Sequence, residues 1–353
     1  MDPKKTDFSN PEKGRREAIS VIKVGIVGAG SIAEAHVSAL KCIKGVEIAS
    51  ISDIVHSRSQ ALASQCGAES FTSTSELLKS GVDAIWICTP PFVHHEDAIE
   101  AAEKHVHVFC EKPIALTLEN ADKMISSARR NGVNLMVGQV LRYYPVFKRF
   151  KQAYDTGTLG KLISCWSIRV GYYSGEEGPE WRIDASRGGG MTIEWGVHEL
   201  DFLRWIGGEV SDLYAVVSFR PGTAEFDEDA WATLKFRDGG KGGVHLSLSS
   251  TLAMNSRGII GSEGTVESDG WSTKVRIAAK GSKELMEEVE EIVDSSTGVN
   301  KGILEEDSSF IESIKESTTP PVTGEDGRAA LELAHAILIS AKGNQVIHMP
   351  FRT

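Results

Sequence analysis

The sequence lacks most of the features that would assign it to a special class. Its 353 residues contain five cysteines, an odd number with no CxxC pair, so neither a disulfide framework nor a structural zinc site is expected. No apolar run approaches the roughly 20 residues that cross a membrane. Positive charge is also in deficit, since 38 lysines and arginines face 49 aspartates and glutamates for a formal charge of −11. That balance disfavours nucleic acid as a partner.

A secretion signal is not expected in the first twenty residues. The first twenty residues carry nine charges and no apolar core of the kind that signal peptides have. We expect residues 1–20 to form a disordered arm, or an arm that clasps a neighbouring subunit. Together with the unpaired cysteines, this composition favours a cytoplasmic protein.

Hydrophobic periodicity divides the remaining chain into two parts. Over residues 21–140, strands alternate with helices of about 10–15 residues, which predicts a doubly wound parallel sheet. Over residues 141–353 strands dominate, with helices predicted at 191–206, 304–317 and 327–341. This part is expected to be an α+β domain with a large, mainly antiparallel open sheet. Its strands are predicted at 161–173, 213–219, 230–236, 243–250, 258–267 and 273–279.

A glycine-rich turn near the start of the chain predicts a dinucleotide site. The segment beginning at Gly28 reads GAGSIA, follows a predicted strand and opens a helix. Gly28 permits the tight turn, and Gly30 lets the backbone approach a pyrophosphate. The helix N-terminus at Ser31 and Ile32 offers donors to the phosphates. Asp53, at the end of the next strand, is placed to bond the ribose hydroxyls.

Two charged residues bear on the choice of cofactor. The carboxylate of Asp53 repels a 2′-phosphate, which favours NAD over NADP. Arg58 keeps NADP open, because an arginine in this loop can stack on adenine or reach a phosphate. The sequence therefore predicts a nicotinamide cofactor, with NAD preferred.

The tripeptide Glu111-Lys112-Pro113 follows another predicted strand. A lysine at the carboxyl end of a parallel strand lies where open α/β sheets bind ligands. Pro113 restricts the backbone of Lys112, so the ammonium can be held in one place and carry a proton. Taken alone, the tripeptide is more often a solvated turn, and only its position after this strand favours a functional role.

A third motif combines three glycines with an acid and a histidine. Gly188 to Gly190 allow close approach of the backbone to a ligand. On the helix that follows, Glu194 and His198 share a face, with Asp201 close by. A histidine of near-neutral pKa can accept a hydroxyl proton, although a hydrogen-bonded, non-catalytic histidine is the alternative. A metal site is not expected, because no third ligand has suitable spacing.

Taken together, these motifs resemble the Gfo/Idh/MocA oxidoreductases, which include glucose–fructose oxidoreductase and inositol dehydrogenases. The resemblance extends from about residue 22 to the end of the chain. It rests on GAGSIA, CTPPFVH at 88–94, EKP at 111–113 and GGG…E…GxH at 188–198. It implies an N-terminal Rossmann domain, sugar or cyclitol substrates, and a C-terminal open sheet through which dimers or tetramers form.

The resemblance also assigns roles to residues. It makes Lys112 and His198 catalytic and gives Glu194 an orienting role, although the family usually has aspartate there. His94 is expected to brace its loop rather than react. The cofactor would contact Thr89, Pro90, His94, Glu111 and Lys112. The sugar pocket would be lined by Arg142, Tyr143, Trp181, Arg182 and His198.

These roles imply an NAD(P)-dependent dehydrogenase that moves a hydride between nicotinamide and a secondary alcohol of a sugar, sugar derivative or cyclitol. Lys112 or His198 would accept the hydroxyl proton. One alternative is a glycosidase with tightly bound NAD that oxidises its substrate transiently; Glu194 and nearby aromatic residues are compatible with it. A non-catalytic binding protein is disfavoured, because Lys112 and the glycine turn are both retained.

Overall fold

The computed structural model describes residues 21–175, 178–222 and 225–351, so the predicted arm of residues 1–20 lies outside the described residues. Two sheets organise the described chain: a six-stranded parallel sheet and a nine-stranded, mostly antiparallel sheet. This confirms the predicted α/β fold class. No helix of the described ranges is long and apolar enough to cross a membrane.

The parallel sheet has the strand order β3-β2-β1-β4-β5-β6. Its central strands are short apolar runs buried on both faces, as expected when helices cover both sides. The strand order reverses between β1 and β4, and the carboxyl ends of these strands form the edge at which such sheets bind ligands. The elements are β1 Ile22–Val27, α1 Ser31–Leu40, β2 Val46–Ser52, α2 His56–Ser64, β3 Glu69–Phe71, α3 Thr74–Leu77, β4 Ala84–Ile87, α4 His94–Glu103, β5 His107–Glu111, α5 Leu118–Asn131 and β6 Leu135–Gly138.

The second sheet has the order β14-β13-β12-β11-β7-β10-β9-β8-β15, in which β7 and β10 pair in parallel. One face packs on helices and the other is open. Short 3₁₀ turns lie at Val140–Tyr143 and Glu180–Arg182. The elements are α6 Pro145–Asp155, β7 Leu162–Tyr172, α7 Ala185–Gly188, α8 Gly190–Glu194, α9 Gly196–Gly207, β8 Val210–Phe219, β9 Asp227–Phe236, β10 Lys241–Ser247, β11 Ser249–Gly261, β12 Gly264–Ser268, β13 Lys274–Ala279, β14 Leu285–Glu288, α10 Lys301–Lys315, α11 Gly324–Gly343 and β15 Ile347–His348.

Two sequence predictions in this half were wrong in detail. The single strand expected at 258–267 is the end of β11, a turn and β12, and the turn lies where Gly261 packs directly against the Leu159 backbone. The helix expected at 191–206 is divided into α8 and α9 at Trp195, whose φ of −104° departs from helical geometry. Glu194 and His198 therefore lie on two successive helices.

The parallel sheet takes part of its core from the C-terminal half of the chain. Phe310 of α10 is fully buried and meets the rings of Trp86 and Phe109 at centroid distances of 5.4 and 5.8 Å. The indole of Trp86 also donates to Asp307, at 2.9 Å. Helix α10 thus closes one face of the sheet that carries the glycine-rich turn.

Candidate active site

The turn between β1 and α1 has the shape of a dinucleotide cradle. Gly28 has φ of +91°, and a Cβ there would lie 2.9 Å from the carbonyl carbon and oxygen of Cys88. At Gly30 no described heavy atom lies within 4 Å of the corresponding position. No described side chain caps α1, so its first N–H groups face this space. The open cradle at a bare helix N-terminus fits a pyrophosphate.

Asp53 is fixed beside this cradle. Its two carboxylate oxygens accept hydrogen bonds from the backbone N–H groups of Ala29 and Val55, each at 2.8 Å. The side chain is only partly buried, so it retains acceptor capacity for ribose hydroxyls. Arg58 is exposed on α2. The residues present thus fit the adenosine ribose of a dinucleotide.

The loop after β4, with Thr89 and Pro90, is joined to the EKP turn by His94. The ring of His94 is buried, with Nδ1 2.9 Å from the carbonyl oxygen of Pro113 and Nε2 2.7 Å from that of Thr89. Burial lowers its pKa. This geometry agrees with a bracing role for His94.

Lys112 and Glu194 meet although 82 positions separate them. The Lys112 ammonium donates to the backbone carbonyl of Glu194 at 2.9 Å and lies 3.6 Å from its carboxylate. Arg182, which stacks over Trp181, approaches the same carboxylate oxygen at 3.5 Å. The glycine segment before α8 therefore positions the carboxylate of Glu194 between the cations of Lys112 and Arg182, near the end of β5.

His198 lies buried on α9 near these groups. Neither of its ring nitrogens bonds to a described residue, and Nδ1 is a fully buried atom without a partner. Burial, followed by the positive charges of Lys112, Arg169 and Arg257, lowers the pKa of His198 well below 6.5. The imidazole is therefore neutral at neutral pH and able to accept a proton.

Glu111 is held by a contact that sequence reasoning missed. Its carboxylate lies 3.0 Å from Nε2 of His36 on α1, and the other ring nitrogen lies 2.9 Å from Asp307 on α10. Although burial opposes the charge, Asp307 and Glu111 raise the pKa of His36 well above 6.5. The charged His36 therefore links Glu111, the residue before Lys112, to helices α1 and α10. The i, i+1 spacing of Glu111 and Lys112 carried no signal of this contact.

The side chains of Arg142 and Tyr143 form their hydrogen bonds with residues other than Lys112. Arg142 forms a bidentate pair with Asp201, at 2.7 and 2.6 Å. Tyr143 is buried in the core, and its hydroxyl bonds to Ser309 at 2.8 Å. The structure does not bring these two side chains together with Lys112 and His198, so we leave them out of the proposed substrate contacts.

A cavity of about 340 Å³ lies along β7, β10 and β11, beside the helices that carry Glu194 and His198. A larger open depression of about 720 Å³ lies on the outer surfaces of α5 and α11. Lys112, Glu194 and His198 line neither cavity, but Met191 and Trp195, which flank Glu194 in the chain, line the smaller one. We take the smaller cavity as the substrate pocket. The sequence analysis pointed to aromatic residues near Glu194 but did not identify the polar residues of this cavity, because their placement in the cavity depends on strand register. Its walls include Arg169, Tyr173, Trp195, Asn255 and Trp271.

Comparison with known proteins bears directly on this site. Residues 22–139 match a family model described as an oxidoreductase family with an NAD-binding Rossmann fold, and residues 147–267 match the GFO/IDH/MocA C-terminal domain. The myo-inositol 2-dehydrogenase of Thermotoga maritima is 30% identical over 328 residues, or 89% of this chain and 95% of that protein. The chain belongs to the GFO/IDH/MocA oxidoreductase family.

Solved structures of other proteins share the fold. A probable dehydrogenase from Thermotoga maritima has a TM-score of 0.79 at 27% identity, covering 93% of this chain and 98% of that one. An oxidoreductase from Agrobacterium radiobacter, solved with NAD+, L-tartaric acid and magnesium, has a TM-score of 0.86 at 20% identity with the same coverage. At that identity the second likeness concerns the fold alone.

For this GFO/IDH/MocA protein, the family match confirms the predicted oxidoreductase class and an NAD-binding Rossmann domain. The roles of individual residues rest on the geometry above and stay predictions.

Proposed function

We propose that this GFO/IDH/MocA protein is an NAD-dependent dehydrogenase of a secondary alcohol on a sugar, sugar derivative or cyclitol. The observation that carries the proposal is the pairing of an anchored ammonium, Lys112, with a buried neutral imidazole, His198, near the carboxyl edge of the parallel sheet. Bound NAD supplies the acceptor for the substrate hydride. The protein must supply orientation and a path for the hydroxyl proton.

The two side chains have complementary roles in this proposal. His198 accepts the hydroxyl proton, an assignment supported by its buried ring, whose Nδ1 has no described hydrogen-bond partner. Lys112 donates a hydrogen bond to the same oxygen as the carbonyl forms. Glu194 keeps the ammonium of Lys112 in place through its backbone carbonyl and carboxylate. Arg182, whose Nε lies 3.5 Å from the same carboxylate oxygen of Glu194, offers a further donor to substrate hydroxyls.

A substrate panel tests the proposal. Purified protein is incubated with NAD or NADP and with sugars, cyclitols, sugar acids and aryl glycosides, while reduced nicotinamide and released aglycone are followed in parallel. We expect NADH to accumulate with at least one sugar or cyclitol. Aglycone release without net NADH would contradict the proposal, as would absence of NADH with every compound.

We also propose that the protein is a homo-oligomer, a dimer or tetramer, joined through the open face of the nine-stranded sheet. Large apolar side chains on that face are exposed: Val216 by 59%, Trp231 by 55% and Met254 by 52%. Val216 and Trp231 are directly paired across β8 and β9, so they form one patch. An apolar patch of this kind is typical of a protein interface.

We also propose that the protein is located in the cytoplasm.

A further inference from the structure

Arg169 and Asn255 form an unusual pair within the proposed substrate pocket. They are directly opposed across β7 and β11, on the sheet face that packs towards α9. Side chains so paired have Cβ atoms only about 4.5–5.5 Å apart. Both line the cavity, and neither side chain forms a hydrogen bond to any described residue. The pair therefore presents a guanidinium and an amide with their donors unused.

The positive charge of Arg169 is poorly compensated by its surroundings. Its neighbour Glu199 is already occupied, because Arg257 binds both carboxylate oxygens, at 3.1 and 2.8 Å, and the hydroxyl of Ser167 donates to one of them. The closest approach of Arg169 to Glu199 is 3.7 Å. Burial, with the nearby charge of Arg257, lowers the pKa of Arg169, although Glu199 opposes this shift. A partly desolvated cation without a full partner is costly, and an incoming anion would offset that cost.

The wider electrostatic balance points in the same direction. Four cations surround the pocket and the catalytic groups, against three carboxylates, Glu111, Glu194 and Glu199. His198 adds no charge when neutral. An uncharged sugar would leave this excess unpaired in a site of reduced solvent access. The four cations are Lys112, Arg169, Arg182 and Arg257.

We propose that the substrate of this dehydrogenase is a monosaccharide acid, whose carboxylate is bound by Arg169 and Asn255. The inference rests on the proposed function and names its substrate class. A carboxylate matches the planar fork of one guanidinium. Arg169 is the one charged side chain among the described residues that line this cavity, and a single guanidinium balances a monoanionic carboxylate but not a phosphate dianion. Trp271 lies under the guanidinium of Arg169, 5.5 Å from ring centroid to Cζ, and fixes its plane.

The size and walls of the pocket agree with such a ligand. A volume of about 340 Å³ lies at the small end of the range for ligand pockets, which suits a single sugar ring. Trp195 and Tyr173 pack together at a centroid distance of 5.4 Å and provide an aromatic wall. Sugar rings pack on such surfaces through their C–H faces, while polar groups fix their orientation. Binding of the carboxylate at one wall thereby fixes the orientation of the sugar ring in the cavity.

The test compares matched sugars that differ only at the acidic group. D-Glucuronate, D-galacturonate and D-mannuronate are each set against the corresponding hexose and hexose 6-phosphate, with myo-inositol included. Two readouts are used: NAD reduction, and equilibrium binding to the preformed enzyme–NADH complex. We expect at least one hexuronate to exceed its hexose and its phosphate by at least about tenfold in kcat/KM and in affinity.

Substitutions of Arg169 and Asn255 locate the effect. Arg169→Met, close in length but uncharged, should lower affinity for the hexuronate by roughly 10- to 150-fold, mainly through KM, while NADH binding is retained. Arg169→Lys should restore part of the loss. Asn255→Asp, nearly isosteric, places a negative charge beside the carboxylate and should reverse the preference towards the neutral hexose. Arg129→Met, at an exposed arginine on α5, controls for arginine loss in general.

The outcomes separate this inference from the proposed function. Equal use of hexose or myo-inositol and hexuronate by the unaltered enzyme would overturn it, as would preference for the 6-phosphate. So would an Arg169→Met protein that loses hexose and hexuronate activity by the same factor. If hexuronate binds the enzyme–NADH complex through Arg169 but no sugar is oxidised, the dehydrogenase proposal fails and the carboxylate site stands.

Discussion

At the level of single residues, the proposed chemistry depends on opposite environments for two basic groups. Lys112 has a carbonyl and a carboxylate of Glu194 as partners, which hold the ammonium in one position. His198 is buried and has no hydrogen-bond partner among the described residues, and its pKa is lowered by burial and neighbouring cations. One group is thus held in place as a hydrogen-bond donor, while the other keeps a free ring nitrogen to accept a proton.

Lys112→Ala is the direct test of this arrangement. Loss of the ammonium should lower turnover by about 10²- to 10⁴-fold, because the developing carbonyl oxygen loses its donor. NADH affinity should stay nearly intact, since the pyrophosphate and ribose contacts lie at Gly30 and Asp53. Steady-state kinetics and NADH fluorescence titration measure the two effects. Lys104→Ala, at an exposed lysine, is the control; near-normal turnover in Lys112→Ala would exclude the proposed role.

Glu306 predicts a pH dependence of stability. Both of its carboxylate oxygens are buried without a described partner, and burial, followed by Glu111, raises its pKa well above 4.5. The folded state therefore keeps a proton that the unfolded state releases above about pH 4.5, so this group makes stability fall as pH rises from there towards the raised pKa.

The substitution Glu306→Gln should remove this loss of stability at higher pH, because a glutamine side chain does not ionise. Between pH 4 and pH 8, the difference in unfolding free energy between the variant and the natural protein should shift in the variant's favour by at least about 1.4 kcal/mol. That amount corresponds to one pKa unit. Urea unfolding at both pH values measures it. Glu305→Gln, at a half-exposed neighbour paired with Lys148, should show no such change. A constant difference between Glu306→Gln and the natural protein would refute the assignment.

At the level of elements, the β1–α1 turn uses two glycines for two different reasons. Gly28 is required by the fold, since its φ is positive and a Cβ would meet the Cys88 backbone. Gly30 has ordinary backbone angles and open space in front of it, so its smallness serves a ligand. In this turn, Gly28 is thus required for folding and Gly30 for binding a ligand.

Alanine at each position should separate these requirements. Gly28→Ala should lower the unfolding free energy by about 1–2 kcal/mol or more, because a left-handed conformation is forced on a residue with a Cβ. Gly30→Ala should leave the melting temperature unchanged and weaken NADH binding at least about tenfold, because the methyl group fills the pyrophosphate cradle. Thermal unfolding and fluorescence titration on both variants suffice. If Gly30→Ala bound NADH normally, the cradle would not be the phosphate site.

At the level of the whole molecule, the two sheets share structural elements. Helix α10 follows the second sheet in the chain, yet Phe310 packs on Trp86 and Phe109 of the first sheet. His36, Glu111 and Asp307 connect α1, β5 and α10 through buried polar contacts. The cofactor domain is therefore completed by the C-terminal part of the chain.

Phe310→Ala should accordingly destabilise the protein by about 3–5 kcal/mol, the usual cost of deleting a buried aromatic ring. Because the ring covers the parallel sheet, NADH binding should be lost together with the fold as denaturant is added. Leu285→Ala, at a residue that is 58% exposed, should be nearly neutral. A small effect of Phe310→Ala on the denaturation midpoint would argue against this packing.

The proposed oligomer gives a second test at this scale. Trp231→Glu places a charge in the centre of the open apolar face and should convert the oligomer to a monomer. Light scattering after size exclusion measures the mass, and NADH titration confirms that the cofactor site is retained. Val346→Glu, at an exposed position outside β8 and β9, should keep the oligomer. A monomeric natural protein would refute the proposal.

What the sequence by itself determined about this protein is local. The turn at Gly28, the EKP motif at Lys112 and the alternation of strands with helices depend on neighbours within a few positions, so they can be interpreted without a structure. The family resemblance depended on these same motifs and was confirmed. The sequence also placed Glu194 and His198 on one helix, whereas the break at Trp195 puts them on two successive helices.

The tertiary structure alone decided how distant residues combine. Arg169 faces Asn255 because of strand register, which a one-residue slip would abolish by turning the side chain to the other face. Glu199 is bound at both oxygens by Arg257, 58 positions away, so Arg169 approaches it no closer than 3.7 Å. The polar character of the substrate pocket is therefore a property of sheet pairing and buried charge, and local sequence patterns do not specify either.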